Sequence, residues 1–195
     1  DLDILSEAPS LVRQSLSDSR RESEDRPARR NLLALVLKRQ YELTGDVHAL
    51  REATEFGREA VSTAPRASRD AACFKGNLAD GLRMLSERTR DLAMAREAVH
   101  FAREAIGGLR PDDPEWAGTQ AVLGGSLMQL ADRTDDEQTT ADATREIRKA
   151  VTATAVNHPD YLPRLNMLYR ALMKEYVHSK APAVLEKSLD AARDL

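Results

Sequence analysis

Residues 33–61 read LALVLKRQYELTGDVHALREATEFGREAV, and this stretch decides the fold. Leu33 and Leu37 stand four apart, on one face of an α-helix. After Thr44-Gly45-Asp46 the apolar positions resume at Leu50, Ala53, Gly57, Ala60 and Val61, an amphipathic stripe with small residues where two helices must approach closely. Asp46 stands where an N-cap is needed, its side-chain oxygen able to accept orphan amides of the first turn. The stretch is therefore two helices joined by a tight connection.

The same unit recurs along the chain. Thr44, Thr89 and Thr134 are each followed two residues later by an aspartate, Asp46, Asp91 and Asp136, at a spacing of 45 residues. Leu33, Leu78, Leu123 and Leu168 keep that register, as do Leu37, Leu82, Leu127 and Leu172. Ala8, Ala53, Ala98 and Ala143 do likewise, followed seven residues on by Ser15, Ala60, Ala105 and Ala150. The stripe returns as Ala95, Ala98, Ala102, Ala105, Ile106 and as Thr140, Ala143, Ile147, Ala150, Val151. A fixed period of this kind marks a repeat architecture.

Start signals for the leucine-bearing helices agree with it. Ser23-Glu24-Asp25, Ser68-Arg69-Asp70, Asp113-Pro114-Glu115 and His158-Pro159-Asp160 occupy equivalent positions, and a cap, a proline at the first helical position and an early acid open a helix. Pro65 and Pro111 fall in the connections between repeats, and Gly107-Gly108 end a helix. The expected map is a helix over 2–19, then pairs at about 24–43 and 46–63, 69–88 and 91–108, 114–133 and 137–155, 159–178 and 182–195. This is one repeat domain over 1–195: a half repeat at 1–20, then repeats at about 24–65, 69–110, 114–156 and 159–195. The chain opens at a cap position and closes inside a second helix, which reads as a segment of a longer array.

Composition narrows the function. Of the 195 residues, 42% are hydrophobic, 31% charged and only 4% aromatic, the balance of helices rather than of a β-sandwich. A mean hydropathy of -0.51 and a longest apolar run from Leu32 to Leu37 exclude a membrane-spanning helix. The start carries no secretory signal pattern. A net charge of -3 argues against nucleic acid as the main partner. The single cysteine, Cys73, allows no internal disulfide and fits a cytoplasmic setting.

These residues resemble tetratricopeptide repeats of a lengthened variety. Leu123-Gly124 is similar to the family's first-helix element, and Ala53, Ala60 and Pro65 to its second-helix element; the common repeat is ~34 residues long. Tyr41-Glu42-Leu43-Thr44-Gly45-Asp46, Arg51-Glu52-Ala53 and His158-Pro159-Asp160 resemble the long-repeat arrays of actinobacterial and fungal proteins, often joined to CHAT peptidase or nucleotide-binding switch domains. Only the first copy keeps the glycine of Thr-Gly-Asp; Arg90 and Asp135 stand in the next two, and His178-Ser179-Lys180-Ala181 replaces the phrase in the last. The resemblance implies an all-α, right-handed superhelical solenoid of antiparallel helix pairs that acts as a protein-interaction scaffold. The alternative it implies is a regulatory module controlling an attached CHAT-type peptidase or switch ATPase.

Catalytic chemistry finds little foothold. His48, His100, His158 and His178 are scattered, and none is read as making the i, i+4 pair with an acid that a helical zinc site requires. Gly124-Gly125 lacks the Lys-Ser/Thr of a phosphate loop and marks a close helix approach instead. No cofactor, metal or catalytic role is assigned.

What remains is a surface. By resemblance the first helices line a concave groove, with outward positions Asn31, Leu35, Lys38, Arg39 and Glu42 in the first pair and Gly76, Asp80, Arg83, Met84 and Glu87 in the next. Ala121, Gly125, Met128, Gln129 and Asp132 continue it, then Asn166, Arg170, Met173, Lys174 and Val177. Lys38, Arg83, Met128 and Met173 share one row, and two cations followed by two thioethers suit a peptide with an acidic and an apolar end. The candidate groove is Asn31, Lys38, Arg39, Arg83, Met84, Met128, Gln129, Asn166, Arg170, Met173 and Lys174, with a protein or peptide partner and neither nucleic acid nor membrane. The unpaired stripes of the terminal helices, with Leu5, Val12, Leu185 and Leu189, predict self-association there.

Overall fold

The computed structural model describes residues 25–181 together with Ser10, Gln14, Ala183 and Glu186. Apart from those four residues, the expected helices at 2–19 and 182–195, and the self-association assigned to them, lie outside the described residues. Seven helices occur among the described residues: α1 (Arg26–Thr44), α2 (Val47–Thr63), α3 (Arg69–Thr89), α4 (Leu92–Gly108), α5 (Trp116–Thr134), α6 (Glu137–Thr152) and α7 (Tyr161–Ser179). No strand accompanies them there, and none of these helices is long and apolar enough to cross a membrane. The chain divides into two compact units, Asp1–Leu109 and Arg110–Leu195.

In the first unit, α1 packs on α2, α2 on α3 and α3 on α4; in the second, α5 packs on α6 and α6 on α7. The repeat residues make the contacts. Leu33, Leu37, Leu78, Leu82, Leu123, Leu127, Leu168 and Leu172 are all buried, and so are Ala53, Ala98 and Ala143 with Ala60, Ala105 and Ala150. Leu33 and Leu37 cluster with Ala49 and Ala53, Leu78 and Leu82 with Ala98, and Leu165, Leu168, Ala171 and Leu172 with Ile147. Second-helix alanines let the leucines of the first helix seat against backbone, which is why the small residues recur in register with the large ones.

The turn between paired helices repeats as strictly as the leucines. Gly45, Arg90, Asp135 and Lys180, each one period from the next, all take the left-handed conformation, with φ of 72°, 57°, 50° and 53°. The residue before the turn back-bonds to a carbonyl four residues earlier: Thr44 to Gln40, Thr89 to Leu85 and Thr134 to Leu130, at 2.8–2.9 Å. Asp46, Asp91 and Asp136 then cap the following helix by accepting the amides of His48, Ala93 and Thr139 at 2.7–2.9 Å. The last copy, whose phrase differs, forms the same turn, with Ser179 Oγ accepting the Ala181 amide as Thr44 Oγ1 accepts that of Asp46. A side chain in this conformation costs about 1 kcal/mol relative to glycine. Arg90→Gly and Lys180→Gly should thus each stabilise by about 0.5 kcal/mol once the greater entropy of the unfolded glycine is subtracted. Thermal unfolding of each variant measures it; a lowered midpoint would contradict the turn assignment.

Two start signals are corrected. Pro114 and Pro159 lie in turns ahead of α5 and α7, not at a first helical position: Trp116 N donates to Asp113 O, and Tyr161 N to His158 O. Asp113 Oδ1 and His158 Nδ1 accept amides inside those turns, from Glu115 and Asp160. Ser68 does cap α3, accepting from Ala71 N at 3.0 Å. Gly107 and Gly108 complete α4 without positive φ. Gly108 is needed for room, since a Cβ there would lie 2.8 Å from that of Ala72.

Candidate functional site

The outward positions of α1 and α3 form an ion cluster within the first unit. Lys38 Nζ donates to Asp80 Oδ2 at 2.6 Å, while Arg83 Nη2 donates to Asp80 Oδ1 at 2.8 Å. Glu42 lies 3.9 Å from Lys38 and accepts from Arg39 at 2.8 Å, and Glu87 lies 3.8 Å from Arg83. Three cations thus face three carboxylates. Burial opposes ionisation of Asp80, but Arg83 and Lys38 outweigh it and hold the carboxyl below the usual aspartate range.

The row therefore does not present two free cations. Lys38 and Arg83 are engaged by one carboxylate, and an acidic ligand would have to displace it. A carboxyl whose pKa is depressed by folding stabilises the protein above the unfolded value of about 4 and loses that contribution as pH falls through the lower folded value. Asp80→Asn should cost about 1–3 kcal/mol at neutral pH. The gap between variant and wild type should close on acidification below about pH 4. Urea titrations at both pH values measure it, and a constant gap would exclude ionic anchoring.

The sequence placed Asn31 and Gly76 outward, and the structure buries both. Asn31 accepts from Asn77 Nδ2 at 3.1 Å, because it lies on the side of α1 that faces α3 rather than on the open face. Arg39 is exposed and Met84 half-buried. In the second unit, Lys174 donates to Asp132 at 2.7 Å, and Met128 packs against the cluster around Ile147. Met173 and Gln129 are half-buried, while Asn166, Arg170 and Val177 are exposed. The structure thus brings Lys38 and Arg83 together on Asp80, sets the exposed Arg39 against Glu42, and leaves Asn166 and Arg170 as the open candidates.

The histidine reading also needs correction. His48 and His100 do have glutamates four residues on, Glu52 at 3.9 Å and Glu104 at 3.7 Å. Each histidine is mostly exposed and has a single acid beside it. Among the described residues no group of three His, Cys, Asp or Glu side chains could hold a metal ion.

Sequence reasoning passed over two features. Arg164 is buried and donates to Thr154 Oγ1 at 2.5 Å and to Asp160 at 2.9 Å, tying the start of α7 to the loop before it. A cleft of about 430 Å³ opens beside Trp116, Arg145, Arg148 and Lys149 in the second unit. Its signal was present at the repeat period, where Lys149 stands in the place of Glu59 and Glu104.

Helix pairs that stack through a leucine layer, with left-handed turns at one period, define the class of helical-repeat proteins. The particular likeness is to TPR-like repeat structures. Over 96% of its length the chain superposes on 87% of a Podosopora anserina protein of nearly identical TPR-like repeats, described as a kinesin light chain, with a TM-score of 0.63 and 19% identity. It matches BtubC (BKLC) from P. vanneervenii over 97% of this chain and 73% of that one, with a TM-score of 0.65 and 19% identity. At such identity the likeness establishes the fold alone. No family model matches the chain, and no curated protein does either.

Proposed function

We propose that this chain is a protein-interaction scaffold that binds a polypeptide through the outward faces of its first helices. The observation that carries this reading is the contrast within each repeat. Leucine, alanine and the capping aspartate hold one register in copy after copy, while the outward residues change chemistry from one copy to the next. A stacked repeat needs the first for its core and uses the second for specificity. The TPR-like fold supports it by analogy.

The exposed positions name the contacts: Arg39, beside Glu42, in the first unit, and Asn166, Arg170 and Val177 in the second. Val177 is 57% exposed on α7, two helical turns along from Arg170, which has no ion pair among the described residues. Exchanging Arg170 and Val177 together for glutamate and aspartate should weaken a captured partner by about tenfold or more. The fold should persist, because both side chains lie outside the leucine layer. Partner titration against wild type and variant, with circular dichroism as the folding control, tests this; unchanged affinity would remove the groove from the reading.

A further inference from the structure

The second and third repeats each carry a cleft between the loop before the first helix, the start of that helix and the end of the second. At that place in the repeat, equivalent residues face each other. In the first copy Arg30 pairs with Glu59 at 3.0 Å, and in the second Lys75 pairs with Glu104 at 3.0 Å. In the third copy both partners change: Gln120 replaces the cation and Lys149 the carboxylate. The pair cannot form. Gln120 is 2% exposed, and its Oε1 has no hydrogen-bond partner. The cleft is about as large as its counterpart in the second copy, roughly 430 against 440 Å³, but its lining is different. Arg66, Lys75 and Glu104 line the one, whereas Pro111, Trp116, Arg145, Arg148, Lys149 and Thr152 line the other.

Three cations therefore surround a half-buried indole, and no carboxylate lines the cleft. Glu146 neutralises part of this charge from beneath, accepting from Arg145 at 3.1 Å and Lys149 at 2.8 Å, and Asp142 pairs with Arg145 at 2.9 Å. Arg148 is exposed and has no ion pair among the described residues. Of the acids in the adjoining loop, Asp112 pairs with Arg110 and Asp113 accepts the Glu115 amide, while the Glu115 side chain is exposed and lies outside the cleft's lining.

We infer that this cleft binds an acidic segment of a partner polypeptide, its carboxylates meeting Arg148 and Lys149 and a neighbouring apolar side chain covering Trp116. Charge complementarity carries the inference. Lys38 and Arg83 both rest on Asp80, whereas Arg148 has no ion pair among the described residues, so the acid-binding capacity centres on Arg148 and not on the row of first-helix cations. The inference rests on the scaffold reading and places one of its contacts outside the groove.

Trp116 is the chain's single tryptophan, so its emission reports on this cleft alone. The probe is a short Glu/Asp-rich peptide interspersed with leucines, titrated into the full chain at low salt and followed by tryptophan emission and by anisotropy of a label on the peptide. A saturable shift of Trp116 is expected. Arg148→Glu with Lys149→Glu should weaken binding by about tenfold or more, Arg148→Gln with Lys149→Gln by less, and Arg103→Ala, at the exposed equivalent of Arg148 in the second copy, not at all. Circular dichroism confirms that each variant folds. The proposal falls if the peptide binds without moving Trp116, if neither cleft variant changes affinity, or if no peptide binds. It falls equally if single-stranded DNA or an anionic vesicle moves Trp116 where the peptide does not. Loss of this site would leave the groove test with Arg170 and Val177 standing, so the two readings fail separately.

Discussion

Gly124→Ala should destabilise the second unit by about 2 kcal/mol, although alanine is the better helix former by about 1 kcal/mol. A Cβ at Gly124 would lie 2.3 Å from Ile147 Cγ1 and 3.0 Å from the Ile147 amide nitrogen. The first contact is far inside van der Waals range, and the second is to backbone, which cannot turn aside. Overpacking of this kind costs about 1–3 kcal/mol, and a backbone obstacle places it at the upper end. The pair has counterparts one and two periods earlier: Ala79 with Ala102, and Ala34 with Gly57. Where the second helix carries its largest residue, the first has given up its Cβ. Ile147→Ala alone should cost about 2–5 kcal/mol by opening a cavity. Combined with Gly124→Ala it reproduces the Ala–Ala pair of the second copy, so the double variant should recover about 1–2 kcal/mol relative to the sum of the singles. Hydrogen exchange in α5 and α6 measures the cycle. Simple additivity would show that the two residues do not share one space.

Leu123→Ala should cost about 2–5 kcal/mol. Leu123 is 5% exposed, one residue from Gly124, and belongs to the leucine layer that recurs at Leu33, Leu78 and Leu168. The void can close only in part, because α6, on which α5 packs, is itself held against α7. Stability in repeat proteins is the sum of repeat and nearest-neighbour terms, so the loss should concentrate in α5–α7. Faster exchange confined to those helices is expected. Exchange rising equally in α1–α4 would mean that the repeats do not behave as local units.

The framework was legible in the sequence because stacking makes it periodic. A leucine that packs in one copy has an equivalent neighbour in the next, so the same residue type is required 45 positions on. The capping aspartates and the threonines before each turn were legible for the same reason. The open face was harder to read. The resemblance placed Asn31 outward, but a helix side facing the next first helix is outward in one repeat and covered in the pair. The starts at Pro114 and Pro159 were misplaced because a proline ahead of a helix can close a preceding turn as readily as open the helix itself.

By itself, then, the sequence determined the helix pairs, the leucine layer and the small residues opposite it, and the left-handed turns follow the same register although glycine occupies only one of them. These depend on contacts that every copy repeats, so local pattern and tertiary requirement coincide. Only the tertiary structure decided the pairing of Lys38 and Arg83 on Asp80, the burial of Asn31, and the cationic cleft around Trp116. Each of these depends on side chains brought together from different helices and differs from copy to copy. Charge in particular is not settled by residue type. Whether a lysine is free or spent is fixed by the carboxylate folding sets within about 3 Å of it, and no periodicity records that distance.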